Sequence, residues 1–544
     1  MHKKPFLFAW LGLLVCRMAS AQVALTVDMG AVVNPARAEY YCLNFQNALD
    51  PAVAGNTSYK ARVDELKPKI VRYHAGEQIQ NGHAYNWIDY TNKVWNKTKI
   101  GDVLRHKPAS ATDVLVTITG WPTWMDVNGD KKLDDDKKAA YATFCADLVD
   151  IVNNQLGLGY KVKYWEPFNE KDGGDYAGSS DMWHLADIFK RCHDAMKLKD
   201  PNIKVVGGAW RQPWDADIDH FLYNLGGRYL DVWSHHNYAS GGETSISAVY
   251  KKANLNGGID NVRNKLNAKG FSAVPIWLDE WNIFYSWNAT GYAYMTNYVS
   301  AVFDALVLKN LLNNGKAAAV FAWNAADGRY GKIKSDFTGL NPGGYLFKLL
   351  GQYGTGNVMR TTSSRDTLVD GLTVKNSGAG KVMFVLINRS QTAQNVTLGT
   401  GTWGPSADGV LKRVISPAGY AESSVSWAGS IAGKVISTPA NSVTVLVATI
   451  PVGSRVATLA ENASVSRVAV HPNPSSGVLH LRRKGDADDV RVAVYDAAGR
   501  KVSEVDLNGN APATLDLSGQ RPGLYLLKTF SRQGKPEVLK VVLQ

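Results

Sequence analysis

Tyr164-Trp165-Glu166-Pro167-Phe168-Asn169-Glu170 ends one short β-rich run, and Pro275-Ile276-Trp277-Leu278-Asp279-Glu280-Trp281-Asn282 ends another. Each carries an apolar, aromatic-rich strand signal into a Glu, and each belongs to a longer alternation. Runs at 39–45, 69–74, 113–119, 161–166, 203–208, 230–236, 275–280 and 318–323 read as strands. Helical patterns lie between them, for example at 137–154, 181–198, 258–269 and 292–313. In 181–198, Trp183, Leu185, Ile188, Phe189, Cys192 and Met196 recur at helical spacing. Eight strand–helix units in succession predict an α/β fold, a (β/α)8 TIM barrel, rather than an open doubly wound sheet. No G-x-G-x-x-G follows the first strand, which further disfavours a dinucleotide-binding fold. The two quoted stretches are then the ends of strands four and seven.

Outward from the barrel the pattern changes. Past residue 352, Lys381-Val-Met-Phe-Val-Leu-Ile387 and Ser442-Val-Thr-Val-Leu-Val-Ala448 are β-rich and bounded by turn formers, so an all-β sandwich is expected over 352–452. Strand-like Val23–Val33 is a candidate addition to it. The polar stretch 453–465 reads as a linker and 466–544 as a third, β-rich unit. At the other end, Lys3 and Lys4, an apolar run from Phe6 to Val15 and Ala19-Ser20-Ala21 predict a signal peptide over 1–21, leaving a barrel domain over 22–351. No later run is long and apolar enough to span a bilayer. Beyond the leader only Cys42, Cys145 and Cys192 remain, too few and too widely spaced for a disulfide framework or a zinc site.

With 45% hydrophobic and 20% charged residues the chain has a soluble globular profile. Its net charge of +12 comes from scattered Lys and Arg without a basic, aromatic-interleaved stripe, so nucleic acid is not an expected partner.

In barrel enzymes the chemistry collects at the carboxyl ends of the strands. Glu170 and Glu280 both fall there. A lone strand-end Glu is most often an ion pair or a cap, but two at one lip match the needs of glycosidic bond hydrolysis. One carboxyl protonates the leaving oxygen, and the other attacks the anomeric carbon or activates a water.

Asn169-Glu170 after strand four and Glu280 after strand seven resemble clan A of the glycoside hydrolases, and within it families 51 and 39. Leu66-Lys-Pro-Lys-Ile-Val-Arg72, Asp279-Glu-Trp-Asn282 and Lys199-Asp-Pro-Asn-Ile203 are similar to family 51 motifs, and Glu166-Pro-Phe-Asn-Glu170 to a family 39 motif. The resemblance implies a retaining hydrolase with Glu170 as acid/base and Glu280 as nucleophile. It also implies that Asn169 bonds the 2-hydroxyl, that Arg72 keeps the nucleophile charged, that His236 or Tyr238 orients Glu280, and that Trp323 floors the pocket. His74-Ala75-Gly76, Phe168 and Lys171 depart from the usual motifs, which leaves the substrate open. In the last unit, Pro472-Asn473-Pro474, Gly499-Arg500 and Pro522-Gly523-Leu524-Tyr525 resemble type IX secretion sorting domains. Secretion or surface display by that machinery is the implication.

Thirteen of the 16 Trp lie between Trp87 and Trp323. Trp121, Trp124, Trp210, Trp214, Trp281 and Trp287 fall near strand ends or loops, where indole faces can stack on sugars. Trp121, Trp281 and Trp323 join the expected substrate-binding set. The loop holding Asp126, Asn128, Asp130 and Asp134 has the spacing of oxygen ligands for calcium but lacks the central Gly. A solvated acidic turn and a structural calcium site both remain open there; no cofactor is needed for the chemistry. The functional classes left are a polysaccharide hydrolase acting on plant, algal or microbial glycans, an exo-acting side-chain glycosidase such as an arabinofuranosidase or xylosidase, and a non-catalytic carbohydrate-binding surface protein.

Overall fold

The computed structural model describes residues 22–450, except 402–403, and residues 468–543 apart from short interruptions. The expected signal peptide and linker lie outside the described residues. The chain divides into two compact units, one up to Arg455 and one from Val456 onward.

In the first unit eight parallel strands close a barrel: Cys42–Phe45, Ile70–His74, Asp113–Thr117, Tyr164–Glu166, Lys204–Trp210, Val232–His236, Ile276–Trp281 and Ala317–Ala322. They are buried along nearly their whole length. This follows from a parallel sheet covered by helices outside and filled by its own side chains inside, and it is why such strands read as continuous apolar runs. The bottom of the barrel is filled by Ile70, Leu115, Val206, Val232, Trp277 and Phe321. Toward the carboxyl lip the inward positions turn polar.

The helix Gly178–Lys199 buries Met182, Leu185, Phe189, Cys192 and Met196, successive steps of three or four residues. Trp183, expected on that face, is instead 52% exposed, because one residue past Met182 turns it about 100° away. The helix Tyr298–Asn314 is apolar nearly all round. It is buried on both sides, packing against the barrel and against strands of the second domain. Asn297 caps its start by accepting a hydrogen bond from the Val299 amide (2.8 Å), and Gly315 ends it in a left-handed conformation (φ 71°).

The second domain is a nine-stranded sheet that includes Val23–Ala36. That strand runs antiparallel to Gly356–Ser363 and parallel to Gln394–Gly399. The boundary drawn at residue 22 for the barrel therefore moves: the first 14 described strand residues belong to the later sheet. Val23, Leu25, Val27 and Met29 alternate into its core, a period that suits a half-buried strand better than a barrel strand. The strand Lys381–Asn388 sends Val382, Phe384 and Leu386 into this core, while Met383, Val385 and Ile387 join the barrel core. Both faces are thus apolar, and the domain is cemented to the barrel.

The second unit consists of a three-stranded and a four-stranded sheet around Leu479, Leu481, Val492, Val494, Leu527 and Val541. Among the described residues no helix is long and apolar enough to cross a membrane. Cys42, Cys145 and Cys192 are free and buried.

Candidate active site

Arg72 organises the lip. It points inward from the second strand and is completely buried. Its Nε donates to Glu166 (2.8 Å), its Nη1 to Asn44 (2.9 Å) and to Glu280 Oε1 (2.7 Å), and its Nη2 to Asn169 Oδ1 (2.7 Å). A buried guanidinium is tolerable only when its charge and donors are met, and here three strands and the loop after strand four supply the partners. Burial alone would favour loss of its proton, but Glu166 and Glu280 outweigh this and hold it charged.

Beneath the lip Glu166 also accepts from Thr117 and Ser234, each at 2.6 Å. Burial works to raise its pKa, but Arg72 and these hydrogen bonds bring it below the usual carboxylate range. Asp279 lies next to it, and burial and the Glu166 charge push Asp279 well above that range. Of this adjacent pair, Asp279 carries the proton and Glu166 the charge.

Glu280 leaves strand seven pointing inward and is 7% exposed. Arg72 satisfies one carboxylate oxygen, and the Tyr238 hydroxyl donates to the other (2.9 Å). Glu170 stands opposite, on the loop after strand four, with its side chain 36% exposed. Its backbone has φ 51°, a left-handed conformation that costs a non-glycine residue and persists only where the surroundings impose it. The imposition is visible: the Glu170 amide donates to Ala209 O on strand five (3.0 Å), and the Asn169 amide to Thr119 O after strand three (3.3 Å).

His236 bridges the two carboxylates. Its Nδ1 is 2.6 Å from Glu170 Oε1, and its Nε2 is 3.4 Å from Glu280 Oε1. Burial opposes its charge, yet Glu280 and Glu170 raise its pKa to about 9. Glu170 is affected in turn. Burial acts to raise its pKa, but the His236, Arg72 and Arg211 charges prevail and lower it. The naive expectation from two facing carboxylates is the opposite, a proton retained on Glu170 by repulsion from Glu280. In the resting site the proton sits on His236 instead. His235 is buried and neutral, its pKa lowered to about 3 by burial and by the neighbouring His236 charge.

A carboxylate oxygen of Glu170, one of Glu280 and a ring nitrogen of His236 all lie within 4.8 Å of one another. This is the group of three metal-capable side chains that comes together among the described residues. Arg72 already neutralises Glu280 there, and His236 is protonated, so the trio is suited to moving a proton rather than to holding a cation. Asp126, Asp130 and Asp134 form no such group. Asp126, Asn128, Asp130 and Asp134 each accept a backbone N–H of their own loop, from Lys131, Asp130, Lys132 and Val127 respectively.

Above the carboxylates opens a cavity of about 650 Å³. Asn169, Glu170, Tyr238, Glu280 and Trp323 line it, and Arg72 and His236 lie just below. Four of the expected tryptophans do not line it. Trp281 follows the inward Glu280 on the same strand, so the pleat turns it outward, where it is fully buried beside Phe303 and Phe347. Trp121 is wedged between Tyr141 and Tyr176 with the Lys171 ammonium over its ring. Trp210 stacks on Trp233, and Trp124 packs against Tyr90. Trp214 (57% exposed) and Trp287 (44% exposed) do line the cavity. His74, from the stretch that departs from the usual motifs, lines it too, as do Arg211, Tyr285, Tyr330 and Gln46, which carried no signal in the sequence.

Residues 133–327 match the family described as glycosyl hydrolases family 39, and residues 469–544 match the secretion system C-terminal sorting domain. No curated protein matches the chain. Among solved structures it is similar to a glucosidase from Croceicoccus marinus (14% identity, TM-score 0.59), covering 79% of this chain and 99% of that one. It is similar to the family 51 α-L-arabinofuranosidase AbfB from Bifidobacterium longum (13%, 0.59; 78% and 98% covered). A family 39 β-xylosidase from Caulobacter crescentus gives 16% and 0.56, with 78% and 99% covered. At such identities the likeness concerns the fold, a barrel with an added β domain. The family match establishes a glycoside hydrolase domain, and the sorting domain marks the chain for secretion or the cell surface.

Proposed function

Starting from a glycosyl hydrolase family 39 domain joined to a sorting domain, we propose that this chain is a retaining hydrolase of a plant, algal or microbial polysaccharide, exported by the type IX secretion machinery. The observation that carries the reading is the 4.8 Å limit on the separation of the Glu170 and Glu280 carboxylate oxygens. Retaining enzymes hold the pair about 5 Å apart, whereas inverting enzymes need roughly 6.5–9.5 Å to admit a water.

Glu280 is the nucleophile. Arg72 and Tyr238 fix both its oxygens, so one face of the carboxylate is aimed at the anomeric carbon. Glu170 is the acid, and it draws its proton from His236 across their 2.6 Å contact as negative charge builds on the leaving oxygen. In this scheme the buried His236 is a proton store and a positioning group. When the glycosyl ester has formed, Glu170 is a carboxylate again and accepts a proton from the attacking water, and His236 is recharged. Asn169, its Oδ1 held by Arg72, presents its amide N–H to the 2-hydroxyl. Trp323, Trp214 and Trp287 supply stacking faces.

The test uses an activated aryl glycoside with added azide. Glu170→Ala should still form the intermediate, stall, and release a glycosyl azide of the starting configuration. Retained-configuration rescue at Glu280→Ala instead would reverse the two roles. A panel of plant, algal and microbial polysaccharides identifies the sugar, and turnover of none of them would leave a carbohydrate-binding protein.

A further inference from the structure

Proton delivery fixes the polarity of the cavity. The leaving group must lie on the Glu170 side, where Arg211, Pro213 and Trp214 form the wall. The sugar that is retained must lie over Trp323 against Glu280, with His74 and Gln46 behind it. Gln46 follows the first barrel strand and is not only a wall of this cavity. It also lines a second groove of about 180 Å³, between the loops after strands one and two.

Two features show what that groove can take. The Gln46 Oε1 is buried and has no hydrogen-bond partner among the described residues, although it sits at the junction of the two cavities. A buried acceptor without a donor is costly, and a ligand hydroxyl at the junction would satisfy it. Beyond it the groove presents the Tyr85 ring, 39% exposed, flanked by Asp50, Glu77, Gln78 and His83. One aromatic face beside several acceptors suits the C–H face and the hydroxyls of a sugar. The two acids, one of them 3.3 Å from His83, disfavour an anionic one.

We propose that this groove is a second glycone subsite that binds a further neutral glycosyl residue, so that the enzyme cuts within chains instead of removing single terminal sugars. The inference rests on the hydrolase reading above and adds the direction and length of the bound chain.

The experiment measures kcat/KM of the full chain on aryl glycosides carrying one, two and three sugars, in β-linked xylose, glucose, galactose and mannose series. In the series that is cleaved, the second sugar should raise kcat/KM by at least about tenfold, with the disaccharide released intact. Tyr85→Ala should cut that ratio about tenfold, Gln46→Leu should lower it as well, and Tyr85→Phe, which keeps the ring, should preserve it. A ratio near one in the unaltered enzyme, or a ratio that Tyr85→Ala leaves intact, would overturn the subsite. Absence of aryl release from every series, together with no turnover on the polysaccharide panel, would instead sink the hydrolase reading on which it stands.

Discussion

Two regions of the barrel domain are rich in carboxylates, and they could hardly differ more. The loop from Asp126 to Asp136 has five acids within eleven residues. Its polar groups bond the loop's own backbone, and its outward charges meet Lys137 and Lys138. The lip has Glu166, Glu170, Asp279 and Glu280, drawn from two strands more than a hundred residues apart, and they converge on one buried Arg and one buried His. Density along the sequence makes a turn whose acids bond their own backbone; convergence in space makes carboxylates with unequal protonation. Asp279 is protonated and Glu166 charged for that reason, and the Glu170–His236 pair holds a transferable proton.

If that contrast is right, the largest effect is chemical and local to the lip. Glu280→Ala should lower kcat by on the order of 10⁴ to 10⁶ on every substrate while the thermal midpoint barely moves. Activity within tenfold of the parent would remove Glu280 from the reaction.

Next comes the cation. Arg72→Met leaves Glu166 and Glu280 buried without their counter-charge, so urea unfolding should show a loss of about 3–5 kcal/mol. A loss under about 1 kcal/mol would mean that the carboxylates find other partners, and that Arg72 is no organiser.

The third effect is smaller and depends on pH. Asp172, two residues past Glu170, is 6% exposed and accepts the Arg211 amide, at 3.1 Å from both oxygens. Burial, reinforced by the Glu170 charge against the opposing amide and His236, raises it to about 7. A carboxyl raised in the folded state stabilises fully below its unfolded pKa, about 3.9, and that contribution fades as pH climbs toward 7. Asp172→Asn keeps an acceptor but cannot ionise. Its melting temperature relative to the parent should therefore rise between pH 4 and 8, by on the order of a few °C. A gap that stays flat across that range would show that Asp172 is solvated or paired.

The acidic loop should give the least. Chelator should move the melting temperature by less than about 1 °C, and Asp130→Asn should stay within about 0.5 kcal/mol of the parent. A drop of several degrees that calcium restores would show that the loop gathers its oxygens around an ion, and the contrast would fail.

Much of this was legible in the sequence because barrel strands are buried on both faces and read as apolar runs, and because function sits where they end. The pair Glu170 and Glu280 needed no more than that. Trp281 was legible in principle, since a side chain next to an inward Glu on one strand must point outward. Trp121 was not, because a loop has no period to read. The placement of Val23–Ala36 depends on partners more than 300 residues away. The proton on His236 was invisible for the same reason: Arg72, His236 and both carboxylates meet only in the folded barrel, and the sign of a pKa shift is set by that meeting rather than by any pair of neighbours.

The account stands or falls on two carboxylates too close to admit a water between them. The direct measurement is proton NMR of the unaltered enzyme hydrolysing a substrate of defined anomeric configuration, recorded before the product mutarotates. The first product should carry the configuration of the bond that was broken. A first product of the opposite configuration would mean that water attacks directly, and that Glu280 does not form the covalent intermediate.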